Sequence, residues 1–168
     1  MPRLPKLLAP LFLSLFLLLT ACAAAPPSDF DQAQAESTAR GTTAVVKEAV
    51  QGSRFNRFFP QPQGGYDLVY TQEKQGFAEA KLKQGGQDLA MLAISDISST
   101  PSAADKFTSS TEAIAGYPLA LQGNTATALL VAERFQVKVL SRSPDFGPED
   151  RLAWLAQFDL DGLASLAP

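Results

Sequence analysis

Phe77-Ala78-Glu79-Ala80-Lys81-Leu82-Lys83-Gln84-Gly85-Gly86-Gln87-Asp88-Leu89-Ala90-Met91-Leu92-Ala93-Ile94 is the stretch from which the fold is read. Ala78, Ala80 and Leu82 alternate with Glu79, Lys81 and Lys83, the two-residue period of a half-buried strand. Gln75-Gly76 before it and Gly85-Gly86 after it are turn signals. Leu89 to Ile94 is then a continuous apolar run, as a central strand requires. Thr100-Pro101 follows, an N-cap residue ahead of a proline at the first helical position, and opens a short helix through Phe107.

The same order comes again downstream. Tyr117 to Gln122 reads as a strand, Gly123-Asn124 as a turn and Thr125 to Glu133 as a strand. Phe135, Val137 and Val139 alternate with Gln136, Lys138 and Ser141 as another. Pro148, with Glu149 and Asp150 in the first turn, opens a helix bearing Leu152, Trp154, Leu155 and Phe158. At a spacing of 47 residues Gly76 meets Gly123, Leu82 meets Leu129, Leu92 meets Val139, Pro101 meets Pro148 and Phe107 meets Trp154. A duplication of β-β-β-α, with repeats 66–112 and 113–159, accounts for this register. Two unrelated runs of equal length sharing one rhythm account for it too.

These elements predict an α+β domain: an antiparallel sheet of about six strands with the helices on one face. The other face is left partly polar, open to water or to a partner. A further helix is expected ahead of the sheet, from about Asp31 to Val50, where Val45, Val46, Ala49 and Val50 share a face and Gly52 provides a stop.

Farther upstream the chain changes character. Arg3 and Lys6 give a short positive segment, Leu7 to Leu19 is uncharged and almost wholly apolar, and Leu19-Thr20-Ala21-Cys22 ends the run. This resembles the lipobox of bacterial lipoproteins. The resemblance implies a signal peptide over residues 1–21, cleavage between Ala21 and Cys22, and diacylglyceryl and N-acyl (palmitate-type) groups on Cys22. Two or three acyl chains, at about 0.8 kcal/mol per buried methylene, anchor durably. The twenty residues Leu7 to Pro26 are also just long enough to span a membrane, but Pro10 interrupts them and Pro26-Pro27 ends them poorly. Residues 22–30 then form the lipidated Cys and its tether, and 31–168 a single domain on the extracytoplasmic side, periplasmic or equivalent. The localisation expected is lipid-anchored at the membrane.

Composition limits the chemistry. The 168 residues hold 14 Lys+Arg, 17 Asp+Glu, one Cys and no His. There is no disulfide within the chain, no Cys/His zinc site and no His-dependent triad. A net charge of -3 argues against a nucleic-acid footprint. Seven carboxylates (Asp88, Asp96, Asp145, Glu149, Asp150, Asp159 and Asp161) fall in turns and at helix starts. Asp159 and Asp161 lack the number and spacing of a calcium loop, so no metal or other cofactor is expected beyond the acyl groups.

Arg54-Phe55-Asn56-Arg57-Phe58-Phe59-Pro60 is the densest unusual cluster, and it has two readings. Arg54 and Arg57 among Phe55, Phe58 and Phe59 could anchor an interface or grip lipid headgroups. Alternatively, Phe55, Phe58 and Phe59 make one helical turn that buries its rings while the arginines ride at the solvent edge. At the other end, Phe135-Gln136-Val137-Lys138-Val139, a loop, Glu149-Asp150-Arg151 and Trp154 resemble the close of PsbP-type photosystem extrinsic domains. That likeness spans about twenty residues and implies an extrinsic-subunit alternative.

The function expected is therefore non-enzymatic: a lipid-anchored accessory or binding protein that meets another envelope or membrane protein. A carrier of a lipid or other small apolar ligand, held between sheet and helices, is the first alternative. A carboxylate-dependent hydrolase of envelope polymers is another, and it needs two carboxyls converging about 5–10 Å apart.

Overall fold

The structure, a computed structural model, describes residues 49–168. The lipobox, Cys22, the tether and the helix expected from about Asp31 to Val50 lie outside the described residues, except for Ala49 and Val50, which are not helical. No helix among the described residues is long and apolar enough to cross a membrane.

Among the described residues seven strands form one antiparallel sheet: β1 (Tyr66–Lys74), β2 (Phe77–Gln84), β3 (Gln87–Asp96), β4 (Ala113–Ile114), β5 (Tyr117–Gln122), β6 (Ala126–Val131) and β7 (Phe135–Ser141). Their spatial order is β1-β2-β3-β7-β6-β5-β4. The strands expected from alternation are all present, and the seventh, β4, has two residues, too few to register a period. Among the described residues the helical elements are two 3-10 turns, η1 (Gly52–Phe58) and η2 (Pro101–Phe107), and two short helices, α1 (Pro148–Leu155) and α2 (Leu160–Ala164). The described residues are thus mostly sheet, with less helix than the α+β expectation.

One face of the sheet carries the main core. Ala78, Ala80 and Leu82 of β2 lie there with Leu92 and Ile94 of β3, and Phe135, Val137 and Val139 of β7 continue the layer. Against this face pack η1, α1 and α2, whose Phe55, Phe58, Trp154, Leu155 and Leu163 complete it. The helices do not all share that face. η2 packs on β5 and β6 from the other side, where Phe107 joins Ile97, Ala120, Ala128 and Leu130 in a second, smaller cluster. The physical reason is in β6 (ATALLV), every residue of which is buried. A strand apolar on both faces needs a cover on both.

The 47-residue spacing reappears in the pairing. Ala80 faces Leu92 and Leu82 faces Ala90 between β2 and β3. Thr127 faces Val139 and Leu129 faces Val137 between β6 and β7, each 47 residues on. The elements that follow the two hairpins part company: η2 lies on the second face and α1 on the core face.

Gly52, read as a helix stop, instead opens η1. It lies so close to the β1–β2 hairpin that a Cβ would stand 2.3 Å from the Phe77 carbonyl and 2.4 Å from that of Lys74. The turn over Gly52–Phe58 buries Phe55 and Phe58, with Phe59 just beyond it, and the edge of Phe55 meets the Phe135 ring at 5.9 Å. Phe59 packs on Tyr70 and Phe158 at 5.4 and 5.3 Å. The Asp159 amide donates to the Phe58 carbonyl at 3.0 Å and ties α2 to this turn.

Candidate functional site

The second face of the sheet holds an open groove of about 860 Å³. Pro101, Ala104 and Phe107 of η2 form one wall, and Tyr117 and Pro118 at the start of β5 contribute to the lining, as do Ile97 and Leu130. Ala132, Glu133 and Arg134, the turn between β6 and β7, close one end. Ser98 and Thr108 add hydroxyls to the lining, and Ala167 and Pro168 also border it.

Local sequence explains how this wall arises. Pro101 lacks an amide hydrogen and suits the first position of a helical turn. Thr100 stands at its N-cap, where its carbonyl receives the Ala103 amide at 2.9 Å; its side chain makes no cap bond. Phe107 is the turn's buried residue, and it fastens η2 to the sheet through Ala128 and Leu130.

The closing turn is unusual. Arg134 donates its amide to the Val131 carbonyl at 3.1 Å, and the two residues between, Ala132 and Glu133, have φ of 48 and 54°. That left-handed pair lies in a three-residue connection, Ala132 to Arg134, because Val131 pairs with Phe135, and glycine or asparagine is the preferred residue at such φ. At the same 47-residue spacing, the two-residue turn between β2 and β3 uses Gly85 and Gly86, with φ of 57 and 83°. Side chains here cost about 1–2 kcal/mol per residue, and such strain concentrates at binding sites. The sequence reading extended the strand through Glu133; the strand ends at Val131 and Glu133 belongs to the turn.

Behind this end lies a buried charge pair. Asp96 at the end of β3 is 7% exposed. Its carboxylate accepts from Arg134 through Nη2 at 2.8 Å and Nε at 3.2 Å, from the Val50 amide at 3.1 Å and from the Ser98 amide at 3.1 Å. Burial pushes the Asp96 carboxyl upward, but hydrogen bonds from Arg134, Ser98 and Val50 outweigh it and hold it below its ordinary value. The Arg134 guanidinium also lies 5.1 Å over the Phe135 ring. The groove end is therefore welded to the start of the described chain at Val50.

Tyr117 and Lys106, near the groove, each have a partner. Tyr117 donates its hydroxyl to Asp161 at 3.1 Å; burial and that hydrogen bond raise its pKa. Lys106 lies over the Phe107 ring at 5.4 Å, and burial with Lys138 nearby lowers its pKa. Glu133 is exposed and makes no ion pair or hydrogen bond among the described residues.

The residues singled out from sequence lie elsewhere. Phe55, Phe58 and Phe59 supply core rings on the opposite face, while Arg54 and Arg57 are exposed and Arg57 stacks on Phe58 at 4.6 Å. The arrangement is that of the buried-ring reading, and none of the five lines the groove. The carboxylates are dispersed. Asp88 is held by Lys81 at 2.7 Å and by Lys83, whose hydrogen bonds lower it to about 2. Asp150 accepts from the Gly147 amide at 2.7 Å, and Asp159 caps α2 by accepting from Gly162 at 2.9 Å. Among the described residues no group of three or more His, Cys, Asp or Glu is placed to hold a metal ion. The groove was missed because its lining comes from four separated segments, 97–108, 117–118, 130–134 and 167–168. The one local signal was Ala132-Glu133 standing 47 residues after Gly85-Gly86.

No family model, curated protein or solved structure matches this chain.

Proposed function

We propose that this chain is a non-enzymatic, lipid-anchored binding protein, held by Cys22 on the extracytoplasmic face of a membrane and working by contact through the groove beside η2. The observation that carries the reading is the groove itself. It is apolar-walled and open, and its lining includes a turn that holds Ala132 and Glu133 in the left-handed region. The anchor raises the effective concentration of that surface against membrane-bound partners.

A Cys22→Ala variant tests the anchor. It is expected in the soluble fraction after carbonate washing, with the domain still folded; retention in washed membranes would refute lipid anchoring. Cross-linking and pull-down of the lipidated protein from intact membranes then tests partnership. One reproducible complex is expected.

The groove's volume also supports the carrier reading, because about 860 Å³ falls inside the range of small-molecule sites. An apolar ligand co-purifying at one per protein would favour carriage over contact.

A further inference from the structure

We infer that the groove receives an apolar segment of a partner polypeptide bearing a Lys or Arg beside its apolar residues, with the Glu133 carboxylate receiving the cation. This rests on the groove being the contact site. Its lining carries two charged side chains, Glu133 and Arg134, neighbours in the β6–β7 turn, and Asp96 lies behind Arg134. Asp96 and Arg134 satisfy each other at 2.8 Å, which leaves the carboxylate of Glu133 without an ion pair among the described residues. The end is thus net negative, and a cation is its complement. Lys106 does not line the groove; it lies over the Phe107 ring.

The backbone argues in the same direction. At the matching place in the first hairpin Gly85 and Gly86 take positive φ without strain, whereas the three-residue β6–β7 connection keeps side chains at φ of 48 and 54°. A glutamate standing where glycine is the relaxed choice puts a carboxylate on the groove lining at a cost in backbone strain. A polypeptide fits better than a hydrocarbon. Ser98, Thr108 and Glu133 offer polar atoms along the lining, suited to peptide amides and carbonyls, while Ile97, Phe107 and Leu130 take apolar side chains. An acyl chain has no use for the polar set, and an anionic headgroup would be repelled by Glu133.

The test uses the full-length chain in phosphatidylcholine nanodiscs and fluorescence anisotropy of labelled heptapeptide amides. One peptide has five Leu and two Lys, the second has two Glu in place of Lys, and a neutral apolar dye, phenylnaphthylamine, is the third probe. The Lys peptide is expected to bind about tenfold more tightly than the Glu peptide, with the difference shrinking as salt is added. Glu133→Gln, a change at an exposed site, should weaken the Lys peptide about two- to fivefold and leave the Glu peptide no weaker. Thr108→Trp, which narrows the groove from its exposed lip, should weaken both peptides.

If Thr108→Trp abolishes binding while Glu133→Gln does nothing, the groove reading stands and the cation inference falls. If neither variant changes binding, both fall. Saturable dye binding that excludes the Lys peptide makes the occupant a small apolar ligand and overturns the proposal. Concentration-dependent dimerisation lost in Thr108→Trp makes it a second copy of this chain, with the same consequence.

Discussion

Arg134 grips Asp96 with two nitrogens, Nη2 at 2.8 Å and Nε at 3.2 Å, on a carboxylate whose side chain is wholly buried. The pair joins the β6–β7 turn to the end of β3, and the Val50 amide brings in the start of the described chain. Removing one member strands the other, and breaking a buried pair costs about 3–5 kcal/mol. The exposure of Arg134, 17%, puts this pair at the low end. Asp96→Ala should lose about 3 kcal/mol in urea denaturation, and a loss under about 1 kcal/mol would show that solvent replaces the partner.

The same carboxylate sets an acid limit. Its pKa is lower folded than the roughly 3.9 of a free aspartate. Its contribution is therefore complete above about pH 5 and is lost as pH falls through the folded value. Stability should be flat from pH 5 to 7 in this contribution and decline below about pH 4. Asp96→Ala should show a shallower acid slope than the parent; parallel slopes would assign the acid loss elsewhere.

Gly52 stands where any Cβ would meet three backbone atoms of Lys74 and Phe77 within 2.7 Å. Backbone cannot swing aside as a side chain can. Gly52→Ala should push η1 off the hairpin and cost about 1–3 kcal/mol. It should also loosen the Phe55–Phe135 contact, readable as faster hydrogen exchange in the segment 52–59.

Glu133→Gly should separate stability from binding. Relief of the left-handed φ is worth about 1–2 kcal/mol, offset by about 0.4–1 kcal/mol of extra chain entropy. The variant should melt slightly higher than the parent and bind the Lys peptide more weakly. A lower melting point would mean the glutamate side chain stabilises the fold, and would remove the strain argument.

Arg151 is 3% exposed, and its guanidinium bonds to two hydroxyls, Nε to Thr127 and Nη1 to Ser141, both at 2.9 Å. Among the described residues it has no carboxylate partner within ion-pair range. Arg151→Ala leaves a cavity and two under-used hydroxyls, for a loss of about 2–4 kcal/mol. Arg151→Met restores the volume without the charge and should recover most of that loss. Equal losses in both variants, measured by denaturant titration, would place the value of Arg151 in its hydrogen bonds.

Strands were legible because their signal is local. Ala78-Glu79-Ala80-Lys81-Leu82 writes its burial pattern into consecutive residues, and β2 has it. Pro101 and Pro148 likewise mark their own elements. The side of the sheet that η2 covers was not legible, because that depends on β6 being apolar on both faces and on a loop long enough to cross. The groove was hidden for a similar reason. Phe107, Pro118 and Glu133 are far apart in sequence and meet only after β5 and β6 pair. The Phe55-Phe58-Phe59 cluster announced itself strongly, yet sequence could not tell a ring facing a partner from a ring facing Phe135.

The central claim is that contact runs through the groove at the membrane surface. Site-specific photocross-linking in intact membranes tests it most directly, with the photoreactive residue at Pro101 on the groove wall or at Gln72 on the exposed strand β1. The account predicts one discrete polypeptide adduct from position 101, none from position 72, and loss of the adduct in Thr108→Trp. Equal labelling from both positions, or an adduct that survives Thr108→Trp, would contradict it.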